Sequence, residues 1–134
     1  MAGHYVTTDE GLHLYCETRG DGAEALVFPN GLMMKDDFAW LAGDRTLVFY
    51  DPRHRGRSDA AGDARAARGI HDDVDDLEAV RRYFGFEKMA LFGHSYVGVM
   101  VALYAMTRPA RVSRVIQMSP AEPYPGKAYP AHLT

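Results

Sequence analysis

The stretch Lys88-Met89-Ala90-Leu91-Phe92-Gly93-His94-Ser95-Tyr96-Val97-Gly98-Val99-Met100-Val101-Ala102-Leu103-Tyr104 limits what this chain can fold into more than any other. A short apolar run stops at Gly93-His94-Ser95, and an uncharged run, apolar on every side, follows with no spare residues. The first run reads as a buried strand and the second as a buried helix. One serine hydroxyl is thereby set at a strand-to-helix corner. Such a corner exposes the Oγ of Ser95 while the amide of Tyr96, in the first helical turn, points at whatever the serine attacks. This is a nucleophile elbow, although the usual Gly-x-Ser-x-Gly pattern has Val97 at its fifth position here and glycine arrives one residue late, at Gly98.

From Met89 to Thr107 there is no Asp, Glu, Lys or Arg, a length that by itself would span a membrane. The interruption at Gly-His-Ser, the presence of Gly98 and the alternation of elements around it favour a strand and a helix buried in an α/β core. With 134 residues, 47% hydrophobic and 25% charged, the chain has the composition of one globular domain. A net charge of −3 gives no reason to expect nucleic acid or an anionic membrane as partner. Cys16 is the single cysteine, which excludes an intrachain disulfide and metal sites built on several thiolates. The opening Met1-Ala2-Gly3-His4-Tyr5-Val6 lacks the basic and apolar regions of a signal peptide, so a cytoplasmic location is expected.

Taken in order, Val6-Thr7-Thr8 and Leu12 to Thr18, separated by Asp9-Glu10-Gly11, predict an antiparallel hairpin. Ala25-Leu26-Val27-Phe28 is a third strand ending on Pro29-Asn30-Gly31, and a short helix is expected over Asp36 to Leu41. Thr46 to Tyr50 is a continuous apolar strand, followed by the loop Asp51 to Asp59. Ile70, Val74, Leu77, Val80 and Phe84 mark a helix with acidic residues early and Arg81-Arg82 late, closed by Gly85. After the elbow strand and helix, which stops near Arg108-Pro109, Val112 to Met118 is one more strand. Repeated crossovers of this kind mean an α/β fold: a mostly parallel sheet with an antiparallel N-terminal hairpin and helices on both faces. Residues 119–134 hold four of the seven prolines without periodicity and read as a tail after a core of residues 1–118.

Ser95 needs a base to take its proton and donors to hold a developing oxyanion. The Tyr96 amide is one donor by position, and the loop Asn30-Gly31-Leu32-Met33 is expected to bring the Leu32 amide to the same spot, at the carboxyl ends of neighbouring strands. Two other readings of the motif stand beside this one. A serine in a glycine-flanked turn also serves simply as the N-cap of the following helix. Gly93 to Gly98 also fits a dinucleotide fingerprint with serine in the middle position, which calls for an acid about 20 residues on; that region reads Gln117-Met118-Ser119, with Glu122 the nearest acid.

Phe28-Pro29-Asn30-Gly31, Tyr50-Asp51-Pro52-Arg53-His54-Arg55-Gly56-Arg57-Ser58-Asp59, Asp75 to Arg81, Gly93-His94-Ser95-Tyr96 and Arg108 to Val112 together resemble the N-terminal half of an α/β-hydrolase, in particular the proline iminopeptidase-like branch. The resemblance runs from about Tyr5 to Pro120 and implies a lid and C-terminal strands outside it. It implies a serine hydrolase without a cofactor or metal, with Ser95 as nucleophile of a Ser-His-Asp triad, Leu32 and Tyr96 amides as oxyanion hole, and Asn30, Gly31 and His94 lining the site. The implied activity is an aminopeptidase releasing an N-terminal residue such as proline. Esters and other amides remain open as substrates, because the lid sets specificity. A non-catalytic hydrolase-fold binding module, or a fragment that folds only with its partner, is the alternative from another class.

Two departures from the family pattern carry expectations of their own. Val97 in place of glycine implies an opened or weakened elbow, since the helix must pass close to the strand there. His54 replaces a glycine in the loop after the fourth strand. The triad acid and histidine follow the serine in this fold, and formally Glu122 and His132 do so, although a solvated tail suits both better. The chain is therefore expected to need a second chain or a cleaved C-terminal part that supplies acid and histidine. Elsewhere, His71-Asp72-Asp73 reads as a solvated first turn rather than a metal cluster, and Arg53, His54, Arg55 and Arg57 as a loop salt-bridged to Asp51 and Asp59.

Overall fold

In a computed structural model of the chain, which describes residues 2–29, 31–62 and 68–120, strands β1 (Ala2–Thr7) and β2 (His13–Arg19) form the opening hairpin. Strands β3 (Glu24–Phe28), β4 (Arg45–Tyr50), β5 (Met89–His94) and β6 (Val112–Met118) complete a six-stranded sheet in the order β1-β2-β4-β3-β5-β6. The hairpin joins antiparallel, through β2 on β4, and every pairing among β3, β4, β5 and β6 is parallel. The parallel strands are the continuous apolar runs of the sequence because both their faces are covered: β3 and β4 are buried from Ala25 and Leu47 onward.

Helices α2 (Ile70–Phe84) and α3 (Tyr96–Thr107) cover one face, where Val74, Leu77, Val80, Met100, Val101 and Tyr104 share a core with Val27, Val48, Tyr50 and Leu91. On the other face Phe28, Phe49 and Phe92 pack beneath a coil of 3-10 turns around helix α1 (Lys35–Phe38). Phe28 stacks on Phe49 with ring centroids 4.6 Å apart, and Phe38 leans on Phe92 at 4.8 Å. The expected single helix over Asp36 to Leu41 is thus one short α-helical turn, begun by a 3-10 turn at Gly31–Met34 and ended by another at Ala39–Leu41. The first strand starts at Ala2 rather than Val6, since its pairing is fixed by β2, with Ala2 opposite Thr18.

In the loop after β4 the Arg57 amide donates to the expected Asp51 at 3.1 Å, while Arg53 finds its partners on α2 and the hairpin turn. Arg53, only 5% exposed, donates from Nε and Nη2 to the two carboxylate oxygens of Asp76 at 2.7 Å each, and from Nη2 to Glu10 at 2.9 Å. Its Nη1 lies 3.8 Å from Asp72. The hydrogen bonds to Asp76 hold the guanidinium well above its ordinary range. The paired fork joins the β4 loop to α2 and to the hairpin turn in one place. Asp59 bonds instead to His13, whose backbone and ring nitrogens both lie 2.9 Å from its carboxylate and hold that carboxyl below its ordinary value. The first turn of α2 is accordingly only half solvated: Asp72 and Asp76 are buried, and Asp72 also accepts the Arg68 amide at 2.7 Å.

A buried charge left without its partner is costly, whereas an apolar pair of similar volume is tolerated. Arg53→Ala is expected to lower unfolding free energy by about 3–5 kcal/mol in urea titration, and the double variant Arg53→Met, Asp76→Leu by less than either single change.

Candidate active site

The corner between β5 and α3 is built by crowding. A Cβ on Gly93 would lie 2.5 Å from the carbonyl oxygen of Val97 and 2.7 Å from its carbonyl carbon, so only glycine lets the helix start this close to the strand. The turn is made at Ser95, which adopts φ 57° and ψ −125°, a conformation that costs a residue with a side chain about 1–3 kcal/mol. Three hydrogen bonds pin it. The Ser95 amide donates to Met118 O at the end of β6 (3.1 Å), the Gly98 amide donates to Ser95 O (2.9 Å), and the Gln117 side chain donates to Gly98 O (2.8 Å).

Ser95 stands at the N-cap of α3, yet its hydroxyl makes no capping bond and the residue is exposed. The helix start therefore does not use this Oγ, and the simple N-cap reading is not realised. Tyr96 is the first residue of α3, which places its amide among the free N–H groups of a helix N-terminus. Its ring lies half exposed at the surface, where the hydroxyl donates to Asp73 Oδ2 at 2.5 Å and the Arg55 guanidinium carbon lies 6.0 Å from the ring centre. Burial first, and then the bond to Asp73, push the phenol well above its ordinary pKa, so it remains a donor through the physiological range.

The neighbouring strand supplies the other expected residues. Because β3 runs parallel to β5, with Leu26 opposite Ala90 and Val27 opposite Leu91, the two strand ends open side by side. Gly31 and Leu32 begin the 3-10 turn that follows β3. Gly31 has φ 73°, and a Cβ there would meet Asp51 Oδ1 at 2.5 Å and Tyr50 O at 2.8 Å, so the turn is seated against the end of β4. His94 ends β5, half buried and opposite Met118. Asn30, Glu122 and His132 lie outside the described residues.

The side chain of Val97 is not what crowds the strand at this corner. The crowding against Gly93 comes from the backbone carbonyl of residue 97, which every residue carries, while the side chain is buried in the core beside Tyr50 and Met100. Gly98 holds the other tight position, where a Cβ would lie 3.1 Å from Pro120 and 3.3 Å from Gly93 O.

A pocket of about 250 Å³ adjoins the corner, lined by Arg53, His54, Arg55, Gly69, Asp72, Asp73 and Tyr96. A larger cleft, about 680 Å³, lies between α2 and the hairpin turn, and neither it nor the smaller pocket is lined by Ser95. Its walls are matched charges: Arg82 with Asp9, Arg81 with Glu78, and Arg108 with Asp75 and Glu78. The smaller pocket is the one that shares a residue with the elbow. Asp73 and Arg55 line it and lie against Tyr96, whereas the sequence pattern assigns Asp73 to a solvated first turn and Arg55 to a salt-bridged loop and joins neither to residue 96.

Residues 25–132 match the family model described as the alpha/beta hydrolase fold. The chain belongs to this family. Among curated relatives of this α/β-hydrolase chain, the abhydrolase domain-containing protein lid-1 of Caenorhabditis elegans is 31% identical over 111 residues, covering 78% of this chain and 31% of lid-1. A proline iminopeptidase of Heyndrickxia coagulans is 32% identical over 80 residues, covering 60% of this chain and 27% of the enzyme. The crystal structure of an alpha/beta hydrolase from Novosphingobium aromaticivorans superposes with a TM-score of 0.73 at 30% identity, covering 87% of this chain and 43% of that one. The α/β-hydrolase chain described here thus spans about a third of the length of the curated relatives it matches. No helix among the described residues is long and apolar enough to cross a membrane.

Val97→Gly, which restores the usual motif, is expected to destabilise the protein by about 3 kcal/mol in urea unfolding, from lost burial, a cavity and glycine in a helix. It is not expected to quicken any reaction at Ser95, because the tight contact at this position is backbone.

Proposed function

We propose that the protein to which this chain contributes is a serine hydrolase acting by acyl transfer, with Ser95 as nucleophile. The single observation that carries the reading is the backbone of Ser95, turned to φ 57° at a strand end with its hydroxyl uncommitted to the helix it begins. A strained, side-chain-bearing residue at a corner where a free helix N-terminus begins is a device for presenting a nucleophile to a group that becomes an anion. In the reaction, Ser95 Oγ attacks a carbonyl carbon, and the proton passes to a histidine. The carbonyl oxygen becomes an oxyanion held by the amides of Tyr96 and Leu32, and the leaving group departs as that histidine returns the proton. Water then cleaves the acyl-serine by the same path in reverse. Gly31 and His94 line the site.

The histidine and its acid come from a C-terminal part completing the fold, as a continuation of the chain or a second polypeptide. In support, α3 carries apolar side chains around its whole circumference, which suits burial on all sides, yet Met106 is 78% exposed and Ile116 and Met118 on β6 are exposed too. The substrate reading is an aminopeptidase of the proline iminopeptidase type, on the strength of relatives bearing that name. Other relatives bear the name 1-acylglycerol-3-phosphate O-acyltransferase, which keeps ester chemistry as the second reading.

Labelling the assembled protein with a fluorophosphonate is expected to modify Ser95 and to fail with Ser95→Ala; a folded assembly that takes no label contradicts the reading. Turnover of prolyl-p-nitroanilide above p-nitrophenyl acetate supports the aminopeptidase, and the reverse order supports the esterase.

A further inference from the structure

Tyr96 does two separate things at the corner. Its backbone amide is fixed by the start of α3, while its side chain reaches back across the surface to α2, where the hydroxyl donates to Asp73 Oδ2 at 2.5 Å. Asp73 is not an arbitrary acceptor, because the residues on either side of it in the helix are held. Asp72 is buried, accepts the Arg68 amide at 2.7 Å and lies 3.8 Å from Arg53, and Asp76 takes both 2.7 Å bonds from the same buried arginine. The acceptor therefore sits on a stretch of α2 that is anchored in its own right to the loop after β4. A bond from residue 96 to this turn adds a directional polar tie to the apolar packing that already joins the start of α3 to α2.

We propose that the Tyr96–Asp73 hydrogen bond is a positioning strut: it holds the first turn of α3, and with it the amide of residue 96, in the orientation that receives the oxyanion. The inference rests on the reading of Ser95 as nucleophile. Its physical basis is that Ser95 is held in a conformation the backbone does not favour, so the helical turn that begins beside it carries that strain and its orientation depends on the bonds that tie it. Hydrogen bonds to the transition state lose much of their value when the donor is displaced by an ångström or less. On this account Asp73 touches neither substrate nor oxyanion, and acts wholly through Tyr96. The Arg55 guanidinium carbon lies 6.0 Å from the ring centre, and both residues line the smaller pocket.

The test is saturation kinetics of fluorophosphonate labelling in the full assembled protein, with folding of each variant checked by thermal melting. Tyr96→Phe removes one hydroxyl and leaves the amide in place. It is expected to lower the maximal labelling rate about tenfold, with the half-saturating concentration changed less than twofold. Asp73→Ala is expected to do the same, Asp73→Asn, which keeps an acceptor oxygen, to recover most of the rate, and the double Tyr96→Phe, Asp73→Ala to be no slower than either single variant. Folded single variants that label within twofold of the parent overturn the strut while leaving the nucleophile intact. Multiplicative losses in the double variant overturn it as well, by making the two groups independent. A parent protein that takes no label at Ser95 overturns both the strut and the reading beneath it.

Discussion

Everything distinctive about this chain follows from one contact, the approach of the Val97 carbonyl to the α-carbon of Gly93. A helix that begins so near the strand it follows leaves no length for an ordinary turn, and the reversal falls on a single residue, Ser95, at φ 57°. That residue has a side chain, so the conformation is unfavourable and must be imposed by its surroundings. The surroundings are identifiable: the end of β6 accepts its amide, Gly98 donates to its carbonyl, and Gln117 braces the first helical turn from the sheet. The same geometry that strains the backbone leaves the hydroxyl unbonded to the helix and the first amides of α3 unpaired within it. Strain, exposure and a donor-lined space are thus consequences of a single steric fact.

Around this corner the molecule divides its stabilisation by chemistry. Beneath the sheet, phenylalanines from β3, β4 and β5 stack on one another and on Phe38. Above it, the two long helices bury an aliphatic core. At the strand ends, where loops cannot be apolar, the buried Arg53 fork takes over, drawing the β4 loop, α2 and the hairpin turn onto one cation. Such a pair adds little net stability over an apolar replacement but is highly directional. It fixes where α2 starts, and so where Asp73 stands relative to the elbow.

The framework of the fold was legible because its signals are local and repeated. Continuous apolar runs gave β3, β4 and β5, helical spacing from Ile70 to Phe84 gave α2 with its true ends, and the uncharged run after Ser95 gave α3. Chain entry into β1 is not visible in sequence because Ala2-Gly3-His4 has no apolar pattern; its strand character comes from its partner across the hairpin. For Arg53 the nearest acids in sequence suggest themselves as partners, while its actual partner is 23 residues away on a helix. A trace of that partner was present, since Asp72 and Asp76 lie at helical spacing in line with buried Val80, but acids at a helix start ordinarily signify solvent and dipole. At the site, Ser95 and Tyr96 were readable from the corner itself. At Val97 the pattern points to the side chain, while the close contact with Gly93 is made by backbone, and the bond from Tyr96 to Asp73 joins two elements whose relative placement no local pattern encodes.

The measurement that bears most directly on Ser95 as a nucleophile served by backbone donors is a crystal structure of the full assembled protein after reaction with a fluorophosphonate. The account predicts phosphorus bonded to Ser95 Oγ and the phosphonyl oxygen within about 2.7–3.1 Å of the amide nitrogens of Tyr96 and Leu32. An adduct on another residue, or a phosphonyl oxygen turned away from both amides toward solvent, contradicts it.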